Sequence, residues 1–366
     1  MNHIYLLLIL IVPMSWPWIS KFIWPHEITV KEILLHLGIV LFVTSGVYYI
    51  GMVGQSMDVE IWNGEVTGKE KVWVSCEHSY SCNCTTDKDG NESCDTCYDH
   101  SNDWDWQVYS NINDTETIAR VDRRGSNEPP RWTAVKLGEP FSDEKIFKNY
   151  IKGAPDSLFN DKDLVTRYQS LIPKYPSKIH DYYRINRVIP VGISVPDIGQ
   201  WNGELSEMLR ILGPRKKSNV VIVIAKTDQV EYAKALKEAW LSGKKNDTVV
   251  VIGSTQYPTI DFVDVFSWSK KAILDVELRD NILSEKTIDK TKIIGIIEGQ
   301  IQKNFEKRSM EEFAYLADDV VPPTWLLIVT CLVSMIASAA VSYWTYNENI
   351  FDERGSNTWK HRRVSR

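Results

Sequence analysis

The chain has 366 residues, 25% of them charged and 43% hydrophobic, with a formal net charge of −6 and 6 cysteines. Such a composition fits a folded region carrying membrane anchors and excludes a collagen-like or low-complexity chain. With an acidic balance and no basic stretch interleaved with aromatics, the electrostatic footprint of a nucleic-acid binder is missing, so no nucleic-acid partner is expected.

Three apolar stretches come first to notice, Ile4–Ile19, Ile33–Val53 and Trp325–Trp344. The second and third contain no Asp, Glu, Lys or Arg, and each is long enough to cross a hydrocarbon core of ~30 Å as a helix rising ~1.5 Å per residue. The first is shorter and interrupted by Pro13 and Pro17, and no Lys or Arg precedes it. It reads as a span within 1–24 rather than a cleaved signal peptide. Transmembrane segments are therefore expected at 1–24, 33–53 and 324–345. Trp16, Trp18, Trp24, Trp325 and Trp344, with Tyr343 and Tyr346, sit where amphipathic rings bridge headgroup and hydrocarbon. His36 reads as a packed polar residue within the second span rather than part of a proton path.

The tail 346–366 carries Arg354, Lys360, Arg362, Arg363 and Arg366 against Glu348, Asp352 and Glu353, an excess of positive charge that favours the cytoplasm. Three spans then place 54–323 outside the cytoplasm, with Lys21 and Lys31 in a cytoplasmic loop.

The first exterior segment, 54–135, has strand character at Val59–Trp62, Lys71–Ser75 and Trp104–Tyr109, with a turn expected at Asn63-Gly64. A small Cys-rich antiparallel β module follows from that pattern. Five cysteines fall in Cys76-Glu77-His78-Ser79-Tyr80-Ser81-Cys82-Asn83-Cys84 and Cys94-Asp95-Thr96-Cys97-Tyr98-Asp99-His100. Two arrangements fit. Cys82, Cys84, Cys94 and Cys97 can surround a tetrahedral zinc ion with Cys76, His78 and His100 as spare ligands. Alternatively, an oxidising compartment closes the same four thiols into two disulfides, which run between the Cys-x-Cys and Cys-x-x-Cys pairs because a bridge within Cys82-Asn83-Cys84 is strained. Thr85–Ser93 reads as an exposed loop whose Asp87–Glu92 run lacks the last acidic ligand of a calcium-binding EF-hand. Glu128-Pro129-Pro130-Arg131 ends the module. Residues 136–185 form a connector with helical pieces at Lys145–Ile151 and Asp161–Ser170.

In 186–316 strands alternate with helices. Arg187–Val195, Asn219–Ala225, Thr248–Gly253 and Ile260–Phe266 read as strands, the second and third buried on both faces. Helices are expected at Glu204–Leu212, stopped by Gly213-Pro214, and at Glu231–Leu241, Ser269–Leu283 and Thr291–Phe305. The implied fold is a layered α/β domain with parallel strand pairs. The whole chain is thus an α+β membrane protein with three transmembrane helices, a small Cys-rich β module and an α/β domain.

Tyr232-Ala233, Trp240-Leu241-Ser242-Gly243-Lys244-Lys245-Asn246-Asp247 and Val249-Val250-Val251-Ile252-Gly253 resemble the helix, Trp-x-x-Gly-Lys-Lys turn and buried strand of the TPM domain family. More loosely, Ile61-Trp62-Asn63-Gly64, the cysteine pairs, Asp122-Arg123-Arg124-Gly125 and Glu128-Pro129-Pro130-Arg131-Trp132 look like membrane proteins encoded by tailed bacteriophages. That likeness implies a host inner membrane with the large domain periplasmic. Some TPM members are described as divalent-metal-dependent phosphatases, and the positions suited to that chemistry are Lys226, Asp228, Asp247 and Ser254. Yet Asp261–Lys271, where the family's glycine-rich turn would fall, has no glycine, so its backbone cannot approach a ligand as closely. The expectation is accordingly an extracytoplasmic binding or assembly protein acting on an envelope or membrane partner. A TPM-type phosphatase and a zinc-binding sensor are the competing readings.

Overall fold

A computed structural model describes residues 4–23, 28–88, 90–159 and 161–348. Trp24 and the basic residues of the tail, on which the expected sidedness partly rests, lie outside the described residues. The α-helices of eight or more residues are α1 (Ile4–Ile23), α2 (Val30–Gln55), α3 (Ile198–Lys216), α4 (Glu231–Ala239), α5 (Ile273–Ser284), α6 (Lys290–Asn304) and α7 (Thr324–Glu348). The strands longer than two residues are β1 (Met57–Val74), β2 (Ser79–Thr86), β3 (Glu92–Tyr98), β4 (Asp103–Ser110), β5 (Thr115–Ile118), β6 (Pro140–Lys148), β7 (Val188–Val191), β8 (Asn219–Ala225), β9 (Asp247–Gly253) and β10 (Phe262–Ser267).

Two compact units emerge, and the first holds the apolar helices together with Lys148–Leu158. Three of its helices, Ile4–Ile23, Val30–Gln55 and Thr324–Thr345, are long and apolar enough to cross a membrane, and the chain is accordingly membrane-integral. Helix α1 runs unbroken through Pro13 and Pro17. A capping box starts α2, the Thr29 hydroxyl accepting from the Glu32 amide at 3.2 Å while the Glu32 carboxylate accepts from the Thr29 amide at 2.7 Å. Thr330, Ser334 and Ser338 make a buried small-residue stripe along α7, the kind of face that lets membrane helices approach closely. His36 is packed there, its Nε2 3.1 Å from the Ser338 hydroxyl and its Nδ1 3.4 Å from that of Ser342. Gly51 lets Leu326 seat against α2, since a Cβ at that position would lie 2.2 Å from a Leu326 methyl.

The second unit contains both four-stranded sheets. The first has strand order β5-β4-β1-β6, with Trp73 opposite Trp104 and Lys71 opposite Trp106. Its inner face packs Val66, Trp106, Val108, Ile118, Phe141 and Tyr183. Two expectations are corrected here. Asn63-Gly64 is not a turn, because β1 continues through it as one strand. Nor is Lys145–Ile151 helical throughout: Lys145–Lys148 belong to β6 and only Tyr150–Gly153 coil. The alternation decides the second case, for Phe147 is buried while Ile146 is 73% exposed, a period of two that helical packing would not give.

The other sheet has order β10-β9-β8-β7, the last three strands parallel and β10 antiparallel at the edge. Every residue of β8 and β9 is buried, as their unbroken Val/Ile runs demand. Even-numbered β8 residues Val220, Ile222 and Ile224 pack with Leu205 and Leu209 of α3, Leu274 of α5 and Ile297 of α6. Odd-numbered Val221 and Val223 pack with Tyr232 and Leu236 of α4 and with Tyr168. Helix α3 does not stop at Gly213-Pro214 but reaches Lys216, ending on Lys217 in the left-handed region.

A buried polar network joins the two sheets at the amino ends of β8 and β9. Arg187, 1% exposed, donates from Nε to Asn219 Oδ1 at 2.8 Å and from Nη2 to Ser142 Oγ at 2.8 Å, with Asn63 Oδ1 also accepting from Nη2. Asn63 Nδ2 donates to the Ser218 carbonyl at 3.0 Å, and Asn246 Nδ2 to the Ile61 carbonyl at 2.7 Å. Those bonds explain why Asn63 and its neighbours stay in a strand.

Candidate functional site

Open α/β sheets bind ligands beyond the carboxyl ends of their strands. Lys226, Asp228 and Ser254 do follow the ends of β8 and β9, the first two exposed and the serine buried. Asp247, however, is the first of the 7 residues of β9, so at ~3.3 Å per residue it lies on the order of 20 Å from that end. It is also fully engaged: Oδ1 accepts from Asn219 Nδ2 at 2.9 Å, and Oδ2 from the Tyr175 hydroxyl and the Lys244 amide at 2.7 Å each. Burial pushes its carboxyl up against the downward pull of those three donors. The four residues do not form one site, and Asp247 belongs to the network that joins the sheets.

The cysteine segment is a hairpin, β2 antiparallel to β3, with Ser79 opposite Tyr98, Tyr80 opposite Cys97 and Cys82 opposite Asp95. A register shift falls between Cys82 and Thr85, where Asn83 takes a positive φ of 46°. Cys82 pairs with Cys97 and Cys84 with Cys94 at disulfide distance. Of the two arrangements open in the sequence, this one runs between the cysteine pairs and fits disulfides rather than a four-thiolate zinc centre. At the tip the Asp87 carboxylate accepts from the Asn91 amide at 2.8 Å and from Asn91 Nδ2 at 3.2 Å, bonds that close the turn. Only Cys82 and Cys97 are partly covered within the two strands, and Tyr80 and Tyr98 are 52% and 56% exposed.

At the hairpin's neck the chain leaves β1 through Cys76 and His78 and enters β4 through His100 and Asp103. Val74 pairs with Asp103, and the His78 carbonyl accepts from the Asp99 amide at 3.0 Å, so the two segments are held side by side. Asp103 is fully covered. Its Oδ1 accepts from His100 Nε2, and its Oδ2 from the Glu77 amide at 3.0 Å and Arg120 Nη1 at 3.2 Å. Burial pushes this carboxyl up, but the Glu77 amide, His100 and Arg120 together hold it down at about 2. Arg120 is fixed in turn by Asp105 at 2.6 Å. Cys76 is buried and unpaired with another cysteine, and its sulfur, one His100 nitrogen and one Asp103 oxygen lie within 4.8 Å of one another. The His78 ring stands edge-on to that of His100 at 5.5 Å between centroids. Its Nε2 is 3.8 Å from Asp103 Oδ2 and 2.7 Å from the Arg123 carbonyl.

Cys76, His78 and His100 are thus gathered at one place, away from the paired cysteines. Asp103 escaped the sequence reading; the signal was its position three residues after His100, a spacing that brings two donors of a turn together. No protein-family model, curated protein or solved structure matches the chain.

Proposed function

We propose that the chain is a membrane-anchored binding or assembly protein that presents hairpin 79–98 to a protein partner in an oxidising compartment outside the cytoplasm. One observation carries this reading: the hairpin buries almost nothing, yet two cysteine pairs staple it. A segment without a core cannot be stapled for the sake of packing. What the staples supply is a preorganised surface, which lowers the ordering cost of binding, and each tyrosine offers a large amphipathic contact at small entropic cost. Register places Tyr80 and Tyr98 on opposite faces of the ribbon, because Tyr80 opposes Cys97, the neighbour of Tyr98. In this reading the three spans tether the protein, the paired strands β1 and β4 carry the hairpin, and the α/β layer is similar to TPM domains in sequence. If the chain is phage-encoded, the membrane is the host inner membrane and the partner an envelope component.

Photo-crosslinking side chains placed at Tyr80 or Tyr98 of the full-length protein, in the cells that express it, test the idea. A discrete adduct from either position, absent from a control at Leu137, which is 68% exposed, is the expected result. If neither hairpin position gives an adduct that the control lacks, the hairpin is not the contact element.

A further inference from the structure

We propose that Cys76, His100 and Asp103 form a binding site for a borderline divalent transition metal of the zinc or cobalt type, with His78 beside its fourth position. The donor set selects the ion class. One thiolate, one imidazole and one carboxylate suit zinc-like ions, whereas calcium and magnesium take oxygen ligands almost exclusively. The geometry is close to what such an ion needs. Bonds of ~2.0–2.3 Å at tetrahedral angles put ligand atoms roughly 3.3–3.8 Å apart, and here the three atoms lie within 4.8 Å of one another. Reaching that spacing takes shifts of the ligand atoms of about 1 Å. As the metal–sulfur bond forms, the Cys76 thiol gives its proton to solvent; the proton between His100 Nε2 and Asp103 Oδ1 also leaves to solvent while Nδ1 takes one up, so the neutral imidazole ligates through Nε2 and the metal stands where that hydrogen bond was.

The supporting shell is already in place. Arg120 and the Glu77 amide hold Asp103 Oδ2 at 3.2 and 3.0 Å, leaving Oδ1 as the atom that faces His100. Orientation of a ligating carboxylate by such outer partners is what tuned metal sites use. Cys76 has little else to do: its sulfur accepts from the His78 amide at 3.4 Å and points at the His78 carbonyl at 3.8 Å, both weak contacts for a thiol. The neighbouring cysteines do not compete, since all four are paired with each other. His100 and His78 keep 19% and 23% of their side chains exposed, which leaves an entry path. Because the ligands come from the two segments that flank β2 and β3, a bound ion clamps the hairpin at its neck.

Titration of Co2+ into the purified full-length protein in detergent, with disulfides intact, tests the proposal. One Co2+ per chain is expected, with the strong ligand-field absorption of tetrahedral cobalt and a sulfur-to-cobalt charge-transfer band. Cys76→Ser should abolish the charge-transfer band, and both Cys76→Ser and His100→Gln should weaken binding on the order of 10–100-fold or more. Near-ultraviolet circular dichroism matching that of the parent shows that each variant is folded; if one is not, Cys76→Ala and His100→Asn take their places. Three results overturn the assignment: no stoichiometric cobalt, binding unaltered by loss of Cys76, or metal that appears only when Cys82, Cys84, Cys94 and Cys97 count as free thiols. The last result would move the metal to the paired cysteines. None of them bears on the tyrosine crosslinks, so the two proposals stand or fall separately.

Discussion

Replacing Arg187 by Met tests how the two four-stranded sheets are joined. The substitution keeps the apolar stem and removes the guanidinium, which makes three close bonds to Asn219, Ser142 and Asn63. Bonds from a charged donor contribute roughly 1.5–3 kcal/mol each, and the recovered desolvation of the guanidinium offsets several kcal/mol of that total. Burial alone draws this guanidinium down to about 9, against the upward pull of Tyr175 and Asp247, so it remains charged at neutral pH. Its loss therefore also removes the cation that faces the buried Asp247 carboxylate through Asn219. The acceptors are not wholly orphaned, because Asn63 Oδ1 still receives the Ser142 hydroxyl at 3.1 Å and Asn219 Oδ1 still receives Asn63 Nδ2 at 3.2 Å. A net cost of about 3 kcal/mol follows, toward the lower end of what breaking a buried charged group costs. Urea unfolding of the full-length protein in detergent, followed by near-ultraviolet circular dichroism, measures it as a fall in midpoint at constant slope. Asp247→Asn added to Arg187→Met should cost at least ~1 kcal/mol less than the sum of the single changes, since the two groups share a network. A single-variant cost below ~1 kcal/mol, or strict additivity, would refute the view of Arg187 as the charge-compensating centre of the junction.

Other perturbations follow from the same geometry. Burial outweighs the 2.6 Å bond from the Ser267 hydroxyl and raises the Asp275 carboxyl from 3.8 to about 6. The folded state then holds a proton that the unfolded chain has released between about pH 4 and pH 6. Stability must fall as pH rises through that window, by up to ~3 kcal/mol, and Asp275→Asn should flatten the profile and stabilise the protein at pH 7 in urea titrations. Gly213→Ala would put a Cβ 2.3 Å from the Asn63 carbonyl oxygen, and overpacking of this kind should cost ~1–3 kcal/mol in the same unfolding assay. The cysteine pairs close loops of 15 and 10 residues, worth roughly 3 kcal/mol each. Limited proteolysis should therefore cut within 79–98 only after reduction, with the two sheets left intact; equal cutting without reductant would contradict the stapling.

The elements easiest to read were those whose environment is uniform along the chain. Ile33–Val53 and Trp325–Trp344 lack charge because everything around a span is apolar, and the Val/Ile runs of β8 and β9 are unbroken because both faces are covered. The cysteine spacing likewise restricted bridges to those between the two pairs. What failed was set by distant partners. Asn63-Gly64 carries the chemistry of a turn, but Asn63 is pinned by Arg187, Ser218 and Asn219, far along the chain. The helix-favouring Asp143-Glu144-Lys145 sits in β6 since the sheet needs Phe141 and Phe147 inward. Asp247 looked like a free carboxylate after a Gly-Lys-Lys turn, and only the fold reveals Asn219 and Tyr175 beside it. Asp103 was passed over because a carboxylate between Asn102 and Trp104 looks like a loop residue until β1 pairs with β4.

The two buried polar clusters differ in a way that separates structure from chemistry. Around Arg187 and Asp247 both charged groups meet partners of matching kind, guanidinium to amide oxygen, amide and phenol to carboxylate, so each charge is engaged within the network. At the neck of the hairpin one carboxylate faces two imidazoles while a buried thiol is hydrogen-bonded to the main chain of His78. Those four groups do not satisfy one another as a closed set: the thiol is a poor hydrogen-bonding partner, and the second imidazole must turn to the Arg123 carbonyl for a bond. A cluster assembled only to hold β1 against β4 would do better with a threonine or serine at position 76, which could both donate and accept. Sulfur is the better choice only when the partner is soft enough to prefer it, and a Cys76→Thr variant turns that reasoning into a measurement: stability retained, cobalt affinity lost.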